Sequence, residues 1–253
     1  MGRRAATLAL AALAGLTAAG LAGCEEKPPS VQGTLPEPAP GRADAGPLPG
    51  APSPDPVIVA EAVVPSVEVF DEPGDASPAR MVASPQPSGT ATVFQVLQRR
   101  SEMAEVLLPV RPAGSTGWVR LQDVKLSQHR WRIVVELGAY RMTVFQGPDV
   151  VRVETIGIGT SGTPTPGGRW YTTELLQPPS PDGPYGTYAF GLSGFTGTEK
   201  GPTAAFGQLG LHGTNDPATL GRSVSLGCLR VSNEAISARA TQLPLGVPVE
   251  VRR

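Results

Sequence analysis

Gln208-Leu209-Gly210-Leu211-His212-Gly213-Thr214-Asn215, followed after nine residues by Ser225-Leu226-Gly227-Cys228-Leu229-Arg230, is the stretch on which the reading of this chain turns. The first half is an apolar strand that delivers a histidine to its end. The second half presents a cysteine directly after a glycine, where the backbone leaves room for a substrate to approach. A thiol becomes a strong nucleophile once a base takes its proton. With only two histidines in the chain, the candidate base is His212, sixteen residues before Cys228; His129 has no Cys or carboxylate constellation around it and reads as a surface or junction residue. A helix starting a few residues after Cys228 is expected to favour the thiolate through its N-terminal field. The bland alternative is a packed free cysteine, which behaves as a small hydrophobe, beside an unrelated histidine.

Working outward, residues 130–253 read as a mainly β domain. Trp131–Leu137 and Tyr140–Phe145 are strands separated by a turn at Gly138-Ala139, and Val150–Ile158 continues the meander after Gln146-Gly147-Pro148-Asp149. One convincing helix lies near Ser232–Gln242, with Ser232 as N-cap, Glu234 in its first turn and Pro244 beyond its end. Val247–Val251 closes the domain as a strand. The Gly-rich stretch Tyr185–Gly201 reads as a loop, either covering substrate with Tyr185 and Tyr188 or lying on the surface without a role.

The His212-Gly213 and Ser225-Leu226-Gly227-Cys228-Leu229-Arg230 pair resembles the signature of the L,D-transpeptidase catalytic domain, the YkuD family. Thr163-Pro164-Thr165-Pro166-Gly167 is similar to that family's Thr-Pro-x-Gly turn, and Leu245-Gly246-Val247-Pro248-Val249 to its closing strand. Many members carry His between the Ser and Gly of the Cys motif; here Leu226 stands there, so His212 is left as the sole base. The resemblance implies a β-sandwich-like fold with one or two short helices and peptidoglycan stem peptides as substrates. It further implies Cys228 as nucleophile, His212 as base and the Gly213 carbonyl as orienter of the imidazole. Backbone N–H groups around Leu226, Gly227 and Cys228 would hold the oxyanion, Ser225 would brace the loop, and carbapenems would trap the thiol. Arg230 is open between a substrate carboxylate and a loop brace. No metal or organic cofactor is implied.

Residues 57–126 read as short strands: Val57-Ile58-Val59, Ser66–Phe70, Thr92–Leu97, Glu105–Val110 and Gly117–Arg120, with a turn at Asp71-Glu72-Pro73-Gly74-Asp75. The Phe70–Gly74 turn and the later Gly117-Trp118-Val119 resemble a bacterial SH3-like domain, a small β-barrel. Such a module either binds wall polymer or only spaces the next domain.

Upstream lie an address and a tether. Arg3 and Arg4 precede an apolar run, Ala5 to Leu21, in the pattern of a secretory signal peptide covering residues 1–23. Leu21-Ala22-Gly23-Cys24 resembles the bacterial lipobox, which implies lipidation of Cys24 and a membrane anchor in the cell envelope. Residues 24–56, dominated by Pro, Ala and Gly, read as a disordered spacer that cannot bury enough apolar surface to fold.

Composition sets the limits. The 253 residues carry 21 Lys and Arg against 22 Asp and Glu, a net charge of −1 that leaves no basic excess for nucleic acid. Two cysteines exclude a disulfide framework and a Cys-based zinc site. The function expected is peptidoglycan cross-linking by acyl transfer. An L,D-carboxypeptidase on the same site and a non-catalytic wall-binding lipoprotein are the alternatives; the oligomeric state is left open.

Overall fold

The computed structural model describes residues 55–196 and 207–253. The expected leader, Cys24 and the Pro-rich stretch up to residue 54 lie outside them, as does the end of the expected loop from residue 197.

The first module is built from seven short strands: β1 (Val57–Ala62), β2 (Ser66–Val69), β3 (Arg80–Ala83), β4 (Val93–Arg100), β5 (Met103–Leu107), β6 (Thr116–Arg120) and β7 (Val124–His129). Five of them form an antiparallel sheet in the order β6-β5-β4-β1-β7, and β2 and β3 make a separate hairpin. A bridge between Phe70 and Trp118 joins hairpin to sheet. Alternation buries one face: Ala60, Val67, Val69, Phe94, Ala104, Val106, Leu108 and Val119 form the module's own core. The last strand runs three residues beyond 126, because Val57 pairs with His129 at its far end.

The second domain follows after one residue. Its elements are β8 (Trp131–Glu136), β9 (Arg141–Gln146), β10 (Asp149–Thr155), β11 (Ile158–Gly159), β12 (Gly168–Leu176), β13 (Ala189–Phe195), β14 (Gln208–His212), β15 (Ser223–Ser225), β16 (Leu229–Arg230), α1 (Asn233–Gln242) and β17 (Pro248–Arg252). The mainly β architecture is the expected one. A mixed eight-stranded sheet runs β10-β9-β8-β17-β12-β13-β14-β16, with a small parallel pair, β11 and β15, beside it. Two joins in the large sheet are parallel, β17 with β8 and β14 with β16. Helix α1 starts where Ser232 accepts the Ala235 N–H, the expected cap. It packs Ala235 and Ile236 onto a core that includes Ile133, Met142, Phe190, Leu209, Leu211, Leu229 and Val249.

The stretch expected as a loop from Tyr185 is a loop only to Tyr188; Ala189–Phe195 is an inner strand of the sheet. Its glycines disguise it, yet each has a packing reason. A side chain at Gly194 would meet the Trp170 ring at 2.8 Å, and one at Gly191 would meet Glu174 at 2.9 Å.

The two modules share a buried seam. Tyr171, fully buried on β12, shares its hydroxyl hydrogen between the carbonyls of Val93 and Leu107, each at 3.1 Å. Val57, Val59, Val93 and Leu107 pack around it, with Leu245 alongside.

Candidate active site

The parallel join of β14 with β16 assembles the site. Leu211 pairs with Leu229, and His212 with Arg230. Leu211 and Leu229 both point into the core. Side chains alternate across a strand, so His212 and Arg230 project from the opposite face, and Cys228, one residue before Leu229, falls on that face too. Sixteen residues of sequence separation thus become two neighbouring strands, roughly 4.8 Å apart. The Gly210 backbone, two residues before His212, favours a charged sulfur at Cys228.

His212 is only 2 % exposed and Cys228 6 %. His212 Nδ1 lies 2.6 Å from the Gly213 carbonyl oxygen. A carbonyl only accepts, so Nδ1 carries the proton and Nε2 is left with a lone pair. Burial pulls the imidazole down to about 4, against the opposing hydrogen bond to Gly213 and with help from the positive charge of Arg230. Burial likewise pushes the Cys228 thiol above its ordinary value, with the Gly210 backbone and Arg230 opposing it more weakly. The expected helix-favoured thiolate is therefore not the resting form: desolvation outweighs the stabilising charges, and thiol and imidazole are both stored neutral.

The cysteine loop is held by hydroxyls. Ser225 Oγ donates to the Cys228 carbonyl at 2.6 Å and accepts the Gly227 N–H at 3.1 Å, so Ser225 sits where a brace is needed. The Gly227 N–H, expected among the oxyanion donors, is spent inside the loop. Gly227 itself has φ +119°, and a side chain there would meet Thr196 Cγ2 at 2.6 Å. From the other side the Thr-Pro-Thr-Pro turn reaches in. Thr163 Oγ1 donates to the Ser225 carbonyl at 3.0 Å. Thr165 Oγ1 donates to the Gly227 carbonyl at 2.8 Å while accepting the Gly159 N–H at 2.9 Å. Leu226 is 48 % exposed and lines a cavity of about 450 Å³ with Ile158, Pro164 and Pro166.

Of the two tyrosines, Tyr185 reaches the site and Tyr188 does not. The Tyr185 ring meets the His212 ring edge-on, with centroids 5.1 Å apart and planes at 79°. Tyr188 packs against the core and hands its carbonyl to the Gly213 N–H at 3.2 Å. His129 lies at the junction of the modules, where its Nδ1 accepts the Trp131 N–H at 3.1 Å.

Asn233 was not singled out from sequence, although it organises the site. Its Oδ1 accepts the N–H of Thr187 at 3.3 Å and of Thr214 at 3.1 Å. It thereby ties the Tyr185 loop to the turn whose Gly213 carbonyl orients His212. Side chains at Gly186 or Gly213 would collide with that same oxygen, which is why both are glycine. Asn233 is the first residue of α1, and from sequence only its helix start was visible.

Residues 130–251 match the family model of the L,D-transpeptidase catalytic domain, YkuD. YkuD of Bacillus subtilis strain 168, named as an L,D-transpeptidase, is 32 % identical over 123 residues, 49 % of this chain and 66 % of that protein. ErfK/SrfK of Salmonella typhimurium, also named as an L,D-transpeptidase, is 29 % identical over 175 residues, 58 % of this chain and 52 % of that protein. The match therefore spans a little under two thirds of the first relative and about half of the second. A solved L,D-transpeptidase from Mycobacterium smegmatis aligns at a TM-score of 0.42 and 16 % identity, over 74 % of this chain and 99 % of that one. Residues 130–251, which hold His212, Cys228 and the loops that position them, are therefore similar to the L,D-transpeptidase catalytic domain, YkuD.

Proposed function

We propose that the chain is a peptidoglycan L,D-transpeptidase that works through a thioester on Cys228. The observation that carries this reading is the fixed tautomer of His212. Nδ1 is tied to the Gly213 carbonyl, so Nε2 is the basic atom on the face shared with the thiol. The Gly213 carbonyl does here what a carboxylate does in a Ser-His-Asp triad.

The donor is a tetrapeptide stem, cut between the L-centre of its third residue and a terminal D-alanine. As Cys228 Sγ attacks the carbonyl carbon, its proton passes to His212 Nε2 and the new S–C bond pushes charge onto the carbonyl oxygen. The Cys228 N–H receives that oxyanion, since the Gly227 N–H is engaged by Ser225. The intermediate collapses when the imidazolium returns its proton to the leaving amine and the C–N bond breaks. An acceptor amine then gives a proton to Nε2, attacks the thioester and releases the thiolate, which takes the proton back. Neutral storage suits this cycle: no charge is buried until the carbonyl is present to receive it. Tyr185, against the imidazole edge, is placed to line the substrate path.

Around this chemistry, the reading extends to an envelope protein. Lipidation at Cys24 anchors it to the membrane, the Pro-rich stretch spaces it, and the SH3-like first module presents the catalytic domain to the wall. The support is the lipobox resemblance, the composition of residues 24–56 and the small β architecture of residues 57–129.

The test is the full-length chain in detergent with disaccharide-tetrapeptide, products read by mass spectrometry, and Cys228→Ala in parallel. Cross-linked dimer with released D-alanine, absent from the variant, is the expected result. Tripeptide alone would make the protein a carboxypeptidase. Wall binding that survives in a chain giving no product would make it a binding module.

A further inference from the structure

Arg230 carries a charge that the protein itself does not answer. Its backbone is fixed, with N–H and carbonyl exchanged with Gly157 at 2.9 Å each. Arg230 takes no part in the ion pairs Arg120–Glu68, Arg141–Glu136, Arg152–Glu154 and Arg252–Glu250. Its Nε is buried without a hydrogen-bond partner. A buried donor of a charged group costs free energy when left unpaired. A loop brace would recover that cost by donating to the carbonyls of the cysteine loop. Those carbonyls are taken instead by hydroxyls: Thr163 on Ser225, Thr165 on Gly227 and Ser225 on Cys228. The guanidinium is therefore free of the work that its neighbours do. Its positive charge acts on the thiol, the imidazole and the Tyr185 phenol.

Its register gives the ligand. Arg230 is the Cα partner of His212. In the acyl transfer proposed above, on which this inference rests, His212 protonates the leaving amine. When the leaving group is one amino acid, its α-carboxylate is only two bonds from that amine. The carboxylate then falls beside the residue next to His212, and a guanidinium fork suits a planar carboxylate in two-point contact. We propose that Arg230 reads the free α-carboxylate of a one-residue leaving group and so restricts the donor to stems ending one residue past the cut. A stem extended by another residue, or one capped as an amide, presents no anion at that point.

The experiment compares two donors on the full-length chain: disaccharide-tetrapeptide with a free D-alanine carboxylate and the same compound as its C-terminal carboxamide. Donor consumption gives kcat/KM for the native chain, Arg230→Lys and Arg230→Gln, with thermal unfolding of each variant as the folding control. The native chain is expected to prefer the free acid by about 10- to 100-fold, the range for a hydrogen bond to a charged group. In Arg230→Gln the ratio of the two kcat/KM values collapses toward one, and Arg230→Lys retains part of it. Equal rates on both donors in the native chain would overturn the proposal, as would a preference that survives in Arg230→Gln. So would an Arg230→Gln variant slowed equally on both donors. If Arg230→Gln does not fold, the native preference and the lysine variant decide. Absence of any acyl-enzyme from either donor on the native chain would overturn the acyl-transfer reading itself, and this one with it.

Discussion

At the scale of single residues, the site stores a neutral thiol beside a neutral imidazole. Desolvation sets both states, pulling His212 down to about 4 and pushing Cys228 up. The base is active when unprotonated, so lowering the pH removes activity only as the imidazole gains its proton. The acid limb of kcat/KM is therefore expected near pH 4, well below the ordinary histidine value of about 6.5. A pH profile of donor consumption checks this; an acid limb near 6.5 would mean that the imidazole is solvated in the working enzyme. Much of this chemistry was legible in the sequence. His212-Gly213 and Gly227-Cys228 pointed to the proposed nucleophile, base and carbonyl orienter through their family resemblance. The protonation states were not legible, because they depend on burial rather than on neighbours in the chain. Nor was the fate of the Gly227 N–H, which follows from a 3.1 Å contact with Ser225.

At the scale of elements, two short pieces of structure do the positioning. Strand β16 is only two residues long, Leu229–Arg230, too short for any periodicity to announce it. Strand β13 was hidden for a different reason. Gly191 and Gly194 give it the look of a loop, whereas Trp170 and Glu174 fill the space above those glycines. The helix start was readable from Ser232, but the neighbouring Asn233 turned out to have the larger role. Its one oxygen holds the N–H groups of Thr187 and Thr214 together. Asn233→Ala is expected to cost about 1–3 kcal/mol of stability through the unpaired N–H groups and to lower kcat by loosening His212. Asn233→Asp, which keeps an acceptor oxygen at that position, is expected to restore part of kcat. Steady-state rates with unfolding midpoints for both variants check this, and equal losses in the two would contradict the acceptor argument.

At the scale of the whole molecule, both histidines of the chain are held neutral by burial. His129 lies at the junction between the modules, pulled down to about 4 as His212 is. In the unfolded chain each titrates near 6.5. As pH falls from 6.5 to 4 the unfolded state takes up protons that the folded state refuses, so stability is present above this window and is lost through it. The slope approaches ~1.4 kcal/mol per pH unit for the buried His212 and is smaller for the half-buried His129, whose charge solvent screens. Denaturant midpoints at pH 7, 5.5 and 4.5 should fall in that order, and His129→Gln should flatten the fall. A midpoint independent of pH over this range would contradict the burial argument. The two modules were separable in the sequence by their strand patterns, but their seam was not. Tyr171 gives no sign in the sequence that its hydroxyl lies against Val93 and Leu107 of the first module.

The proposed chemistry turns on one sulfur atom, Cys228 Sγ. The most direct test quenches the full-length chain during turnover of disaccharide-tetrapeptide, digests it and maps the adduct by mass spectrometry. The prediction is a single acyl group on Cys228 with the mass of the donor less D-alanine, absent from Cys228→Ala. Continued turnover by Cys228→Ala, or an adduct carried on any other residue, would contradict the account.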